Sequence, residues 1–318
     1  MKRLSVVVLF LFALAIVAGC GSVAPTPTAT PAPSPTAAAS FPITITDPAG
    51  RTVTVKSLPQ RVISLSPSNT EMLFAVGAGD QVVGVTQFCN YPPEATTRQQ
   101  IGGYSAKTIN IEKIVSLKPD LVVAESGIHN DVIQALQPLG ITVVALKART
   151  FDDAYSSMEL LGRLTGHPDK AAQTIAAMKA RVKAVTDKVA TIPQDKRPTV
   201  FWEIWDEPLM TAGPGAFAGQ IVQMAGGINI FADVTTDYPQ VSAEEVIKRN
   251  PAVIMGPDSH GDKLTIDQIA GRPGWGKLAA ITNKRVYLIN GDESSRVGPR
   301  LADALEATAR ALYPDLFK

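Results

Sequence analysis

Cysteine and histidine, on which many catalytic and metal sites depend, are scarce in this chain. Its 318 residues include two cysteines, Cys20 and Cys89, and three histidines. The serine-hydrolase pattern Gly-x-Ser-x-Gly, the zinc-protease pattern His-Glu-x-x-His and the phosphate-binding P-loop are all absent. The sequence therefore predicts a protein that is not an enzyme. If Cys20 is modified, as argued below, Cys89 is the one thiol left, so no intramolecular disulfide can form and we expect Cys89 to be a buried apolar residue.

An excess of charge of either sign is also missing. The chain has 30 lysines and arginines against 29 aspartates and glutamates, a formal net charge of +1. Cleavage of the signal peptide predicted below would remove two basic residues, which leaves 28 lysines and arginines against 29 aspartates and glutamates. A balanced chain lacks the basic surface that binds nucleic acid or an anionic membrane. We expect neither partner.

The first 19 residues form a predicted signal peptide. Lys2 and Arg3 precede an apolar run over residues 4–18 that is too short for an ordinary transmembrane helix. Residues 17–20 (VAGC) resemble a bacterial lipobox, which implies cleavage before Cys20 and lipidation of its thiol. The protein would then be extracytoplasmic, anchored to the outer face of the cell membrane. An uncleaved anchor and a plain secretory signal with a chance cysteine are the alternatives.

Residues 20–40 are predicted to be a tether behind the lipidated cysteine. Residues 21–40 hold five prolines and four threonines but no charged residue. Such a segment cannot bury a core, and at about 3.1 Å per residue it extends to at most about 60 Å. The remaining 278 residues, 41–318, are enough for two domains with cores of their own.

Two segments of the chain, residues 110–124 and 242–256, share one pattern. Each begins with a helix-capping residue, followed by a glutamate two positions later, a proline seven positions after that, and an apolar run. The glutamates are Glu112 and Glu244. This order predicts a helix, a turn stopped by proline and a buried strand, once in each half of the molecule.

Apolar runs alternate with helical patterns in both halves, which predicts mostly parallel sheets covered by helices. Between the halves, residues 168–190 carry apolar residues at spacings of three and four without an internal glycine or proline. A helix of that length spans about 35 Å at 1.5 Å per residue. The predicted fold is α/β, with two similar lobes, 41–166 and 192–318, joined by one rigid helix within 167–191.

Local patterns also predict three details of the helices. Ser68 or Asn69 should cap a helix that runs to Val76, with Glu71 early enough in it to suit the helix dipole. The closing helix should begin at Pro299 and end at Leu312. Residues 242–245 fit a capping box, in which the side chain of residue 245 would return to the start of its helix.

The order and spacing of several segments resemble a substrate-binding protein of an ABC importer. The similar class has a single linking helix and carries cobalamin and iron–siderophore complexes. The segments include residues 61–75 (RVISLSPSNTEMLFA), 90–94 (NYPPE), 101–104 (IGGY), 118–122 (KPDLV), 226–230 (GGINI), 239–245 (PQVSAEE) and 298–301 (GPRL). The resemblance implies the class III periplasmic-binding-protein fold, a ligand between the lobes and a permease as partner. Segments 90–94 and 239–245 are most similar to cobalamin-binding members.

Large side chains follow the predicted strands, where ligands of open α/β sheets bind. Together they would suit a broad, flat and mostly apolar ligand such as a corrin ring. Each could instead belong to the core, which is the interpretation we favour for Trp202. The ligand-binding candidates are Phe88, Tyr91, Tyr104, Trp205, Met210 and Tyr238.

Asp292 and Arg296 are placed on the loop between the last strand and the last helix. The resemblance implies that they contact amide or phosphate groups of the ligand, and a solvated salt bridge is the alternative. It also implies that Glu112 and Glu244 lie on the outer rims of the lobes and bind arginines of the two permease subunits. Such pairs can be bidentate and would fix orientation. The alternative for both glutamates is that they merely complement helix dipoles.

The predicted function is therefore capture of a corrinoid and its delivery to an ABC permease by a monomeric lipoprotein without cofactor or resident metal. A ferric siderophore or haem is the alternative ligand within the same class. His129 and His260 each follow a copied strand and could supply an axial ligand to cobalt or iron, or be solvated loop residues. A metallocluster or chelatase-type enzyme on a related fold is the alternative from another class, and a lone thiol disfavours it.

Overall fold

The structure is a computed structural model that describes residues 40–147, 149–258 and 265–318. The predicted signal peptide, Cys20, almost all of the tether and His260 lie outside these ranges. Within them, no helix is long and apolar enough to cross a membrane. The strands are β1 (Ile43–Thr46), β2 (Thr52–Val55), β3 (Val62–Ser64), β4 (Val82–Val85), β5 (Gln99–Gln100), β6 (Leu121–Glu125), β7 (Val143–Leu146), β8 (Thr199–Asp206), β9 (Leu209–Thr211), β10 (Ile228–Asn229), β11 (Val253–Pro257) and β12 (Val286–Ile289).

Helices alternate with these strands in both halves of the chain. Short 3₁₀ segments occur at Gly79–Gln81, Pro93–Thr97, Gln137–Leu139, Gln194–Lys196 and Trp275–Lys277. The α-helices are α1 (Pro67–Ala75), α2 (Ile111–Ser116), α3 (Asn130–Leu136), α4 (Phe151–Thr165), α5 (Pro168–Ala190), α6 (Phe217–Met224), α7 (Ala243–Arg249), α8 (Ile266–Ala270), α9 (Ala279–Thr282), α10 (Gly291–Ser295) and α11 (Leu301–Leu312).

Each lobe contains one mainly parallel sheet. In the N-terminal lobe the strand order is β5-β4-β3-β6-β7, and all neighbours are parallel. In the C-terminal lobe the order is β10-β8-β11-β12, also parallel, with β9 antiparallel to β8. Without the short β5 and β9, the orders are β4-β3-β6-β7 and β10-β8-β11-β12. Numbered along the chain within each lobe, both orders are 2-1-3-4. The prediction of two similar α/β lobes is confirmed.

The β1–β2 hairpin is anchored to the free edge of β7. Asp47, in the hairpin turn, accepts a hydrogen bond from the backbone N–H of Ala145 at 3.2 Å. Arg51 donates to the carbonyl of Val143 at 3.0 Å and forms an ion pair with Asp47. The hairpin thereby covers an edge strand that would otherwise expose unpaired backbone groups.

The copied segments fold alike. Asn110 caps α2 by accepting from the N–H of Lys113 at 2.8 Å, and Ser242 caps α7 by accepting from the N–H of Glu245 at 3.2 Å. Each helix is followed, within two residues, by a residue that precedes proline and has positive φ. These residues are Lys118 (φ 47°) and Asn250 (φ 42°). Proline disfavours a helical residue before it, so each helix stops and a buried strand begins.

The prediction for the first helix is corrected at its start. Ser66, rather than Ser68 or Asn69, caps α1 by accepting from the N–H of Asn69 at 3.2 Å. Glu71 lies beyond the first turn of a helix that ends at Ala75, and it is buried. It therefore does not serve the helix dipole, because dipole effects fall off within the first turn.

The connecting helix α5 has the predicted bounds, Pro168–Ala190. Its stripe faces the core, with Ala171, Met178, Val185 and Val189 buried. The helix packs so closely on α4 that a Cβ atom added at Gly162 would lie 2.4 Å from the Cβ of Ala171. One apolar cluster runs from the N-terminal sheet along α4 and α5 to the C-terminal lobe, and two smaller clusters fill the opposite faces of the two sheets.

In the C-terminal lobe the structure differs from the sequence prediction at two helix starts. The closing helix α11 begins at Leu301 and not at Pro299, and α10 occupies part of the predicted loop before it. The capping box at residues 242–245 is half formed, because the carboxylate of Glu245 pairs with Arg249 at 2.8 Å instead of returning to the helix start. The proposed lobe boundaries, 41–166 and 192–318, stay predictions.

Candidate functional site

A cavity opens between the lobes at the carboxyl ends of the parallel strands. Its volume is about 330 Å³. Among the described residues, its lining comprises Pro67, Ser68, Phe88 and Tyr104 of the N-terminal lobe and Ser295 and Arg296 of the C-terminal lobe. The strand ends of an open α/β sheet are where its ligands bind, and here two such edges face each other. This cavity is the candidate site.

A buried carboxylate joins the lobes at the base of the cavity. Glu71 on α1 accepts from Arg300 at 2.9 and 2.6 Å and from Arg296 at 3.0 Å. The Glu71 side chain is 1% exposed, and those of Arg296 and Arg300 are 11% and 12% exposed. A buried carboxylate needs such partners, because an unpaired charge in the interior is costly.

Arg296 is bound on all sides by protein groups. Besides Glu71, it donates to the side-chain oxygen of Asn90 at 2.6 Å, to the carbonyl of Phe88 at 3.3 Å and to Asp292 at 2.5 Å. Asn90 in turn donates to Asp292 at 2.7 Å. Asp292 and Arg296 do form an ion pair within the C-terminal lobe, and both of its members also bond to Asn90 of the N-terminal lobe. Asp292 lies in the first turn of α10, not on a loop.

Two further contacts cross the cleft. Arg149, which follows β7, forms an ion pair with Asp237 of the C-terminal lobe. The guanidinium of Arg300 lies 4.2 Å from the centre of the Tyr91 ring, a cation–π geometry. Each arginine that we find between the lobes thus has an acidic partner.

Tyr104, Glu125 and His129 form a second cluster in the N-terminal lobe. The hydroxyl of Tyr104 donates to Glu125 at 3.1 Å. The backbone N–H of Glu125 donates to Nδ1 of His129 at 2.9 Å, so the ring proton is on Nε2, which lies 2.8 Å from the carbonyl of Tyr104. His129 is fully buried, and both of its nitrogens are engaged. In this arrangement it offers no lone pair to a metal, and it is not a solvated loop residue.

Burial sets the ionisation of this cluster. It raises the pKa of Glu125, against the opposing effect of hydrogen bonds from Tyr104 and Ser66. It also lowers the pKa of His129 and raises the pKa of Tyr104, where the nearby Glu125 adds to the effect. Burial raises the pKa of Tyr238 in the opposite lobe to about 12. The charge of Arg149 opposes this rise, and the charge of Glu125 adds to it. The phenols of both lobes therefore lie within electrostatic reach of Glu125.

Four of the predicted ligand-binding residues are large apolar side chains left exposed. Phe88 is 49% exposed, Tyr91 43%, and Trp205 and Tyr238 each 39%. Exposed apolar side chains that cluster on one face mark an interaction site. Phe88 and Tyr104 line the cavity, whereas Tyr91 stacks on Arg300 and Tyr238 packs edge-on against Phe217 with ring centres 6.4 Å apart. Trp202 is 1% exposed, and the prediction that it belongs to the core is confirmed.

Trp205 and Met210 are paired in a hairpin that the sequence did not predict. Trp205 is still within β8, opposite Met210 on the antiparallel β9. The indole N–H of Trp205 donates to the carbonyl of Glu207 at 2.8 Å. Neither residue is among those that line the cavity in the described part of the chain, so their contact with a ligand stays a prediction.

The two copied glutamates are exposed in the first turns of α2 and α7. Glu244 also interacts locally, because its own backbone N–H and the hydroxyl of Ser242 lower the pKa of its carboxyl group. Both glutamates are accessible to a partner, one in each lobe. Their place on the outer rims of the lobes stays a prediction.

Cys89 is buried beneath the cavity wall and is the one free cysteine of the described residues. Its sulfur lies 3.2 and 3.1 Å from the hydroxyls of Thr70 and Thr86, and burial raises the pKa of the thiol. Over the ranges that the structure describes, no three His, Cys, Asp or Glu residues are arranged to hold a metal ion.

Of the described residues that line the cavity, the sequence prediction did not include Pro67, Ser68 and Ser295. Among the polar residues bonded around it, the prediction missed Glu71, Asn90, Glu125, Arg149 and Arg300. Glu125 had a usable signal, since it ends a buried apolar run at the carboxyl end of a strand. The other polar residues meet their partners only across the two lobes, and no local spacing indicates those contacts.

Residues 62–293 match the periplasmic binding protein family. An uncharacterised ABC transporter substrate-binding lipoprotein of Bacillus subtilis is 36% identical over 283 residues, 87% of this chain and 88% of that protein. A cobalamin-binding protein of Halobacterium salinarum is 34% identical over 280 residues, 86% of this chain and 75% of that protein. The periplasmic vitamin B12 binding protein of Vibrio cholerae has a similar crystal structure, with a TM-score of 0.69 and 30% identity over 81% of this chain and 98% of that one.

The similarity spans both lobes and the connecting helix, and the candidate site occupies the gap between those lobes. The chain belongs to the periplasmic binding protein family, and its fold is that of the class III members.

Proposed function

We propose that this protein is the extracytoplasmic binding lipoprotein of an ABC importer, and that it captures a corrinoid between its lobes and delivers it to the permease. The observation that carries the proposal is the cavity itself, which is lined by Phe88 and Tyr104 from one lobe and Arg296 from the other. A ligand held there contacts both lobes at once. Lipidation of Cys20 would keep the loaded protein near the membrane.

The chemistry around the cavity suits a large, mainly apolar ligand. Exposed aromatic side chains on the surrounding loops supply flat contact area at low entropic cost. The aromatic residues that we propose to contact the ligand are Phe88, Tyr91, Tyr104, Trp205 and Tyr238, together with Met210 beside Trp205. A corrinoid is larger than a 330 Å³ cavity, so part of it would lie in the open mouth of the cleft, or the lobes would separate to admit it.

The polar groups of the cleft fit a neutral ligand better than an anionic one. Siderophores and haem present anionic oxygens, which are best met by unpaired arginines or lysines. Arg149, Arg296 and Arg300 are instead paired with carboxylates in this cleft. Asp292 and Arg296 can offer one acceptor and one donor to ligand amides or a phosphate only by exchanging existing hydrogen bonds.

Delivery would use the two exposed glutamates of the copied helices. Glu112 and Glu244 are presented by the same kind of capped helix, one in each lobe. Two separated carboxylates that pair with arginines of a two-subunit permease would set both orientation and register.

The test is retention of a coloured ligand. Purified full-length protein is mixed separately with cyanocobalamin, hemin and a ferric hydroxamate siderophore, then desalted, and the absorbance that remains with the protein is measured. We expect cyanocobalamin to be retained at one equivalent, with Kd then measured by calorimetry. Retention of hemin or the siderophore in its place would overturn the corrinoid assignment.

A matched pair of variants tests whether the ligand binds in the cleft. Phe88→Ala removes an exposed aromatic ring from the cavity wall, and we expect it to weaken binding about tenfold or more. Leu139→Ala removes an apolar side chain that is 56% exposed near the amino end of β7, away from the cleft. Equal affinities of the two variants would place the ligand elsewhere.

A further inference from the structure

The cleft contains a carboxyl group without a cationic partner. Among the described residues, Glu125 forms no ion pair, whereas Glu71, Asp237 and Asp292 each pair with an arginine. Its hydrogen-bonding partners are the hydroxyls of Tyr104 and Ser66. Within residues 40–147, 149–258 and 265–318, carboxylates outnumber guanidinium groups across the cleft. The acids are Glu71, Glu125, Asp237, Asp292 and Glu293, and the arginines are Arg149, Arg296 and Arg300.

Glu125 lies beside the cavity, bonded to Tyr104 of the lining, and is not itself among the described residues that line it. It ends β6, at the edge of the sheet that faces the other lobe. Its partner Tyr104 lines the cavity, and Tyr238 of the opposite lobe lies within electrostatic reach of it. Glu125 as a whole is half-buried and keeps part of its surface accessible.

His129 holds this acceptor in place. Its ring bridges the backbone of Glu125 and the backbone of Tyr104 through hydrogen bonds of 2.9 and 2.8 Å. The ring of Tyr104 also packs edge-on against the imidazole, with centres 5.4 Å apart. The phenol and the carboxyl group therefore present a fixed pair of polar atoms at one end of the cleft.

We infer that Glu125 makes the cleft selective for ligands that present neutral N–H donors, such as primary amides, and against ligands that present carboxylates at the same place. The inference rests on the proposed function and concerns the same cleft. An amide N–H can donate to the Glu125 carboxyl group, whereas a second carboxylate would meet a like charge in a partly desolvated place. Each arginine of the cleft within the described ranges is already paired with a carboxylate.

The experiment compares two ligands that differ in one group. Cyanocobalamin carries primary amides around the corrin ring, and mild acid hydrolysis yields its isomeric monocarboxylic acids, which can be separated. Calorimetric titration at pH 8 measures Kd of each for the wild type, for Glu125→Gln and for Glu159→Gln, an exposed residue of α4 that serves as the control. The Glu125→Gln change keeps the size and one acceptor oxygen and removes the charge.

We expect the wild type and the control to bind at least one of the acids about tenfold or more weakly than the amide. In Glu125→Gln this ratio should fall several-fold for the same isomer, because the negative charge that repels the acid is gone. Circular dichroism verifies that the variants are folded.

The outcomes separate this inference from the proposed function. If the wild type does not bind cyanocobalamin, the proposed corrinoid function fails. If it binds cyanocobalamin but every acid equally well, or if Glu125→Gln keeps the full ratio, the selectivity assigned to Glu125 is wrong while the function stands.

Discussion

Glu71 of the N-terminal lobe and Arg300 of the C-terminal lobe are joined by two hydrogen bonds, of 2.9 and 2.6 Å, although 229 positions separate them in the sequence. Both side chains are nearly excluded from solvent. The pair is a bidentate carboxylate–guanidinium contact, the geometry in which such ion pairs are strongest. It ties the lobes together below the cavity, and together with α5 it restricts how they move apart.

Replacement of Glu71 should destabilise the protein strongly. Glu71→Ala leaves two nearly buried arginines without their carboxylate, so we expect a loss of about 3 kcal/mol in the free energy of unfolding. Denaturant unfolding followed by circular dichroism measures it. For comparison, Arg181→Ala removes the ion pairs of a side chain that is 41% exposed, and it should cost about 1 kcal/mol or less. Equal effects of the two changes would contradict a buried bridge.

The exposed glutamates should affect transport and not binding. We expect the double variant Glu112→Ala, Glu244→Ala to keep its Kd for the ligand, because both side chains are exposed and neither is among the described residues that line the cavity. Uptake of labelled ligand should fall to background in cells that carry this variant as the only copy. Glu159→Ala is the control for loss of a surface acid. Normal uptake by the double variant would show that neither glutamate takes part in docking.

Stability should depend on the protonation of Glu125. Burial raises its pKa in the folded state above the ordinary value of 4.5, so folding favours the protonated form. This contribution is fully present below pH 4.5 and is lost as the pH rises through the raised pKa. Glutamine does not ionise, so the Glu125→Gln variant does not lose stability at this position as the pH rises. We therefore expect its melting temperature to match that of the wild type near pH 4 and to exceed it near pH 8; a constant difference would argue against a buried carboxyl group.

The thiol of Cys89 should be inert in the folded protein. Burial encloses it and raises its pKa, which reduces the thiolate fraction that reacts. In a Cys20→Ser variant, the reaction of Ellman's reagent with Cys89 at pH 8 should be at least about a hundredfold slower in buffer than in concentrated urea. Rapid reaction in buffer would mean that the loop after β4 opens readily.

Local patterns predicted the elements that are long or strongly periodic. The bounds of α5 agree because its stripe is regular over 23 residues and proline starts it. The copied helices agree because capping residues and prolines mark both ends. Short elements such as β10, with two residues, carry no periodicity that could reveal them. The start of α1 was misjudged because Ser66, Ser68 and Asn69 are all good caps.

What the sequence by itself determined is the architecture: two α/β lobes, the rigid helix between them and a glutamate at the same point of each copied segment. These features depend on contacts between near neighbours in the chain. The tertiary structure alone decided that Glu71 bridges the lobes, that Arg296 is enclosed by four protein groups and that His129 holds Tyr104 and Glu125 in place. Arg296 and Glu71 are 225 positions apart. Such contacts arise only when the strand ends of the two lobes face each other, since burial and charge then depend on the partner surface and not on local spacing.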